Sequence, residues 1–319
     1  MRPLILILFA ASICDAEDQQ TWSARLGWPV GTRVLILHAD DIGMCYEANV
    51  AAKNYLQNNH IQSAALMVPC PWYNEMADWY KQNPSEDLGL HLALTSEWKW
   101  YRWGPVADRS TVPGLLDKDN YLHRDVRGVA MNASPKEIEV ELRAQIEKAL
   151  RSGPRPGHID THMGTLYARP DYTEVYLNLA QEYRIPAMVI EASPETISKF
   201  REQGYPFNDD MIKVVKNYSL PKLDDFHSIE FADDYQQKKQ KFYAQVKSMK
   251  SGLHELIFHP SIETEGLRNI TNSWKQRVWE AQMFADPEVQ RFLEIEKIEF
   301  TNWKEIMQRF ESSDAAGKN

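Results

Sequence analysis

Short apolar runs alternate with helical patterns along this chain, and several of those runs end in a carboxylate or an imidazole. That alternation constrains the fold more than any other feature. Strands separated by helices pair in parallel, with the helices packed outside the sheet. Val34 to Leu37 reads as the first strand and ends at His38-Ala39-Asp40-Asp41. Ala64 to Val68, Leu88 to Leu94, His158 to His162, Met188 to Ile190, Leu253 to Phe258 and Ile298 to Thr301 read as the others. Glu47 to Gln57, Tyr73 to Gln82, Tyr235 to Met249 and Trp274 to Phe284 read as helices. Ser134-Pro135-Lys136-Glu137 predicts a helix start, with Ser134 and Glu137 as a capping box, and Gly153-Pro154 predicts its end. Asp171 with Glu174 predicts a capped helix running to Tyr183. About seven strands favour an α/β barrel over an open sheet, in a single domain from about residue 30 to 310.

A chain of 319 residues can bury a full core, and 43% apolar and 25% charged residues are ordinary for a globular protein. The formal net charge of −9 argues against a nucleic-acid partner, which needs a basic footprint. Residues 1–16 have the order of a secretory signal peptide. Arg2 supplies a positive start, Leu4 to Ile13 an apolar stretch too short to span a bilayer, and Cys14-Asp15-Ala16 a cleavage position. The protein is therefore expected to be secreted or periplasmic, with residues 17 to 30 as a polar leader. No other segment reaches about 18 uninterrupted apolar residues, so no membrane span is expected. Cys45 and Cys70 then remain, and they either pair or stay as buried apolar side chains. The composition leaves a homodimer open.

In parallel α/β folds, reactive groups gather at the carboxyl ends of the strands. Here those ends carry Asp40, Asp41, His91, His158, Asp160, His162 and His259, including four of the nine histidines. Asp40 and Asp41 take different roles only if the chain turns there, and Gly43 supplies a turn residue. One carboxylate could then bind a metal while the other faces a water. A cap on the next helix is the competing role. Period-two alternation puts His91 on one face with Gly89 and Ala93. It also puts His158, Asp160 and His162 on one face, which is costly unless the groups are coordinated or hydrogen-bonded. Two imidazoles and a carboxylate, with a position left for water, form the ligand set of a catalytic metal site. A hydrogen-bonded structural network is the alternative. His259 closes the run Leu256-Ile257-Phe258 and can serve as a proton donor.

Four segments together resemble a known family: His38-Ala39-Asp40-Asp41-Ile42-Gly43, Gly89-Leu90-His91-Leu92-Ala93-Leu94-Thr95, His158-Ile159-Asp160-Thr161-His162 and Glu255-Leu256-Ile257-Phe258-His259-Pro260. With Ala144-Gln145-Ile146 ahead of the third, they look like the YdjC-like (chitooligosaccharide deacetylase-like) carbohydrate deacetylases, over roughly residues 33 to 262. The resemblance implies a distorted, TIM-like (β/α) barrel and a divalent metal. It implies Asp41, His91 and His162 as ligands, Asp40 as general base and His259 as acid, leaving His158 and Asp160 as supporting residues. It implies removal of N-acetyl groups from an amino-sugar oligosaccharide or a smaller substrate. The ligand types fit zinc, whereas the resemblance points to magnesium or another divalent ion. Two positions depart from the family's pattern. His38 stands where Asn is usual, and Met163-Gly164 stands where further histidines are usual. Both bear on substrate identity more than on the ligands.

Residues 96 to 132 form a long irregular stretch, a length that is usually functional or disordered. Within it, Trp98, Trp100, Arg102 and Trp103 are candidate substrate-binding residues, the aromatics by stacking on a sugar face. A hydrophobic lid over the barrel is the alternative. The same residues leave three other functional readings. One is a different metal-dependent hydrolase, such as an amidase or a phosphatase. Another is a glycosidase using Asp40 and Asp160 as paired carboxylates. The third is a non-catalytic sugar-binding protein. No basic clamp for a phosphate is evident, and binding alone needs no base beside Asp41.

Overall fold

The computed structural model describes residues 21–202, 204 and 207–316, so the expected signal peptide lies outside the described residues. Seven strands form one sheet: β1 (Arg33–Ile42), β2 (Ser63–Leu66), β3 (Leu88–Leu92), β4 (Ile159–Thr161), β5 (Asp225–Ser228), β6 (Gly252–Phe258) and β7 (Glu299–Phe300). Every pairing is parallel, in the order β4-β3-β2-β1-β6-β5, and β7 pairs with Val34 and Leu35 at the start of β1. This is the α/β class that the alternation predicts.

The sheet curls until an irregular strip joins its ends. Ile159 N–H donates to Pro186 O and Met188 N–H to Ile159 O, which attaches the strip to β4. On its other side, Leu223 N–H donates to Val189 O, and Asp224 N–H continues to Leu253 O on β6. The expected strand Met188 to Ile190 is therefore this strip, held by single bridges rather than a ladder. β5 has no apolar alternation to betray it. Asp225-Phe226-His227-Ser228 is extended because it pairs with β6.

Period-two alternation sorts the side chains into two cores. On β1, Leu35, Leu37 and Ala39 face the outer helices, while Val34 and Ile36 face inward. Inside, Val34, Ile36 and Leu253 pack against Trp303 and Ile306 of the final helix, Trp303–Ala316. Trp22, Leu26 and Trp28 join that inner core. The stretch expected to be a polar leader thus closes the amino-terminal end of the sheet, because its tryptophans are worth about 2 kcal/mol or more each when removed from water. Above this plug the same inward faces turn polar, which positions the site.

The helix Pro135–Ser152 begins with the predicted capping box and ends at Gly153. The helix Pro170–Tyr183 has no side-chain cap. Asp171 is the second residue of the helix, past the cap position, and pairs with Arg169 instead. Cys45 and Cys70 are buried free thiols, so the apolar role holds. Among the described residues, no helix is long and apolar enough to cross a membrane.

Candidate metal centre

β1 runs past its apolar core to include both acidic residues, and its pairing with β2 is irregular between Ala39 and Ile42. The turn occurs at Asp41 itself, whose φ is +64°, ahead of Gly43 at +82°. That left-handed step lets two adjacent carboxylates reach the same cavity. Neither caps the next helix, Tyr46–Gln57, which starts at Cys45 without a side-chain cap. After β4, Met163 and Gly164 are both left-handed, so the chain turns away sharply and leaves His162 at the cavity wall.

Three side chains from β1, β3 and the end of β4 converge there. His162 Nδ1 lies 3.1 Å and His91 Nε2 3.4 Å from Asp41 Oδ1, and the two nitrogens are 3.2 Å apart. Their outer atoms are already engaged. His91 Nδ1 pairs with Asp160 Oδ1 at 2.6 Å, and His162 Nε2 with the Glu97 carboxylate at 3.0 Å. With the N–H of a neutral ring directed at those partners, His91 Nε2 and His162 Nδ1 would offer their lone pairs to an ion. Asp41 Oδ1 is buried and without a hydrogen bond, while Arg277 Nη2 donates to Oδ2 at 2.6 Å. The three inner separations match the roughly 3.3 Å edge expected when N and O ligands sit about 2.0–2.1 Å from a tetrahedral ion. The donor set therefore fits a divalent metal.

The electrostatics agree. Burial would raise the Asp41 carboxyl, but Arg277, with His162 and His91, holds it well below the usual range. Burial would lower His162, yet Glu97 and Asp41 push it up to about 9. Asp40 and Asp160 likewise overcome burial and raise His91 well above its ordinary value. Metal binding here would displace those protons.

Asp40 sits beside this triad. Its Oδ1 lies 3.1 Å from His38 Nε2, and its Oδ2 lies 3.9 Å from His259 Nε2. His259, one-third exposed, is fixed through its backbone N–H, which donates to Glu280 Oε2 at 2.6 Å. His38 also pairs with Asp160 Oδ2 at 3.1 Å. Asp160 thus uses both oxygens to hold imidazoles, which leaves it unsuited to be a glycosidase carboxylate. Burial lowers His38, but Glu255, Asp160 and Asp40 outweigh it and raise it well above the usual range. His158 lies deeper, stacked on Trp303 at 5.5 Å, and burial holds it well below the usual value. Gly89 is required beneath it, since a Cβ there would lie 2.3 Å from the ring.

The aromatic insertion is placed differently from expectation. None of Trp98, Trp100, Arg102 and Trp103 lines the cavity. Trp98 and Trp103 are buried, Trp100 is 87% exposed, and Arg102 is spent on Asp117 and Leu122 O. Trp98 instead packs under the Arg277 guanidinium at 4.7 Å. Sequence reasoning missed Glu97, Arg277 and Glu280. Only Glu97, six residues beyond His91, carried any local signal.

The YdjC-like protein family model matches residues 34–295, most of the chain. The chain belongs to the YdjC-like family. A carbohydrate deacetylase of Thermus thermophilus is 33% identical over 268 residues, covering 82% of this chain and 90% of the relative. One from Geobacillus stearothermophilus is 27% identical, covering 80% of this chain and 90% of its own. Among solved structures, an Enterococcus faecalis protein named for cellobiose-phosphate cleavage superposes with a TM-score of 0.70 at 22% identity. That match covers 86% of this chain and 98% of the other, and it bears on the fold.

A buried carboxyl beneath the centre has a measurable signature. Glu255 is buried inside the sheet, with Oε2 accepting from Trp303 Nε1 at 2.7 Å and Oε1 unpaired. Burial pushes its carboxyl up to about 8. Below the unfolded value of 4.5 both states hold the proton. As pH rises the unfolded chain releases it first, so stability falls until about pH 8. Glu255→Gln should remove that decline, a gain on the order of 3 kcal/mol at pH 9 relative to pH 5. Urea midpoints of both proteins across this range test it. Parallel curves would show that Glu255 is not the source.

Proposed function

We infer that this protein removes N-acetyl groups from an amino-sugar glycan, using a divalent metal held by Asp41, His91 and His162 on a distorted (β/α) barrel. The observation that carries the reading is the convergence of three potential ligand atoms within 3.4 Å of one another, each residue backed by an outer partner. The relatives named carbohydrate deacetylases supply the substrate class. When bound, such an ion polarises an acyl oxygen and makes a water nucleophilic near neutral pH.

The remaining work falls to this chain's own groups. Asp40 accepts the proton of the attacking water, since it is buried beside the ligands, lines the cavity and has its Oδ2 3.9 Å from His259 Nε2. His259 protonates the departing amine, which without a proton leaves poorly. Glu280 orients His259 through its backbone. His38 and Asp160 hold Asp40 and His91 in place. Secretion or a periplasmic location belongs to the same reading, supported by the signal-like residues 1–16 alone.

Acetate release from N-acetylated oligosaccharides, with and without a chelator, tests this. A metal contributes several kcal/mol at the transition state, so chelation should slow the reaction by about a thousandfold. Restoration by magnesium or by zinc identifies the ion. Undiminished activity in chelator would overturn the metal reading.

A further inference from the structure

The cavity beside the metal centre encloses about 440 Å³, within the usual range for small-ligand sites, and its two walls differ in chemistry. One wall is polar and comes from the ends of β1, β3, β4 and β6. The other comes from the closing strip, β5 and the helices Pro194–Glu202 and Asp209–Asn217, with Phe207 ahead of the second helix. It presents Met188, Ile190, Phe200, Phe207, Met211 and Phe226. Among the described residues only three hydroxyls line the cavity, those of Thr161, Tyr167 and Ser228. Tyr167 O–H donates to Met188 O, and Thr161 Oγ1 accepts from Leu166 N–H. The tryptophans that could stack on a sugar lie elsewhere.

A sugar ring carries a hydroxyl on most of its carbons. Burying each against Met, Ile and Phe without a partner costs about 1–3 kcal/mol. This wall therefore disfavours a sugar ring and favours hydrocarbon. We propose that the substrate is an amphiphilic N-acylated amino sugar whose apolar group fills this half of the cavity while its amide reaches the metal centre. The proposal rests on the deacetylase reading. Two positions on the sugar can carry the apolar group: an alkyl aglycone, or an acyl chain longer than acetyl.

Calorimetry on the metal-loaded full chain separates these sources with unreactive product halves. One arm compares hexyl with methyl glucosaminide, and the other hexanoate with acetate. Each buried methylene should raise affinity about two- to fourfold. The longer member of one pair should therefore bind at least about 15-fold more tightly. Phe226→Ser and Met188→Ser should each collapse that ratio. Ratios within about threefold in both arms overturn the proposal. Amine release from methyl N-acetylglucosaminide is followed in parallel. Release with flat ratios means that the apolar proposal alone is wrong. Steep ratios with no release from any N-acyl sugar overturn the hydrolase reading on which it rests.

Discussion

Asp41→Asn should lower divalent-metal affinity by at least about 100-fold and deacetylation by about a thousandfold, with the protein still folded. Asp41 is the one anionic member of the triad, and its Oδ1 is the atom that both imidazoles approach. Asn removes the charge while keeping the shape. It also tolerates the left-handed backbone at +64°, where Ala would be strained. Asp41→Ala has a second fault, since it would also deprive the buried Arg277 guanidinium of the acceptor oxygen that an Asn amide still offers. Metal titration by calorimetry and a urea midpoint separate lost binding from lost folding. An Asn variant that binds metal like the wild type would remove Asp41 from the ligand set.

Asp40→Asn should give the complementary result: metal binding retained, turnover reduced by about 10²–10⁴-fold. Asp40 stands beside the triad rather than within it, near His38 Nε2 on one side and His259 Nε2 on the other. An amide there can accept a hydrogen bond but cannot take a proton from water near neutral pH. Metal stoichiometry and kcat measured on one preparation decide the matter. Full turnover would put the base elsewhere, and lost metal would make Asp40 a ligand.

The pair of expectations depends on a division of labour between neighbours that alternation alone does not provide. Adjacent residues on a regular strand point to opposite faces. Here the left-handed turn at Asp41 brings both into one cavity. Gly43 marked a turn nearby, but the turning residue is the acidic one. Asp carried no sequence sign of that, although it is among the residues that tolerate the conformation. The Trp98–Trp103 insertion failed for the opposite reason. Aromatic residues near a strand end can stack on a ligand or on the protein, and composition is identical in the two cases. Packing under Arg277 took Trp98 out of the cavity.

What the sequence by itself determined are the properties set by local periodicity. The parallel α/β class, the faces of β3 and β4, and the capping box at Ser134 all follow from spacing along a few residues. So does the gathering of Asp40, Asp41, His91, His162 and His259 at one end of the sheet, because strand polarity puts every strand exit on the same side. Only the tertiary structure decided who supports them. Arg277 meets Asp41 from 236 positions away, and Glu97 reaches His162 across 65. It also decided that Trp22, Leu26 and Trp28 are core and that the cavity's second wall is apolar. These outcomes depend on which surfaces exclude water from one another once the sheet has curled, and no spacing along the chain encodes that.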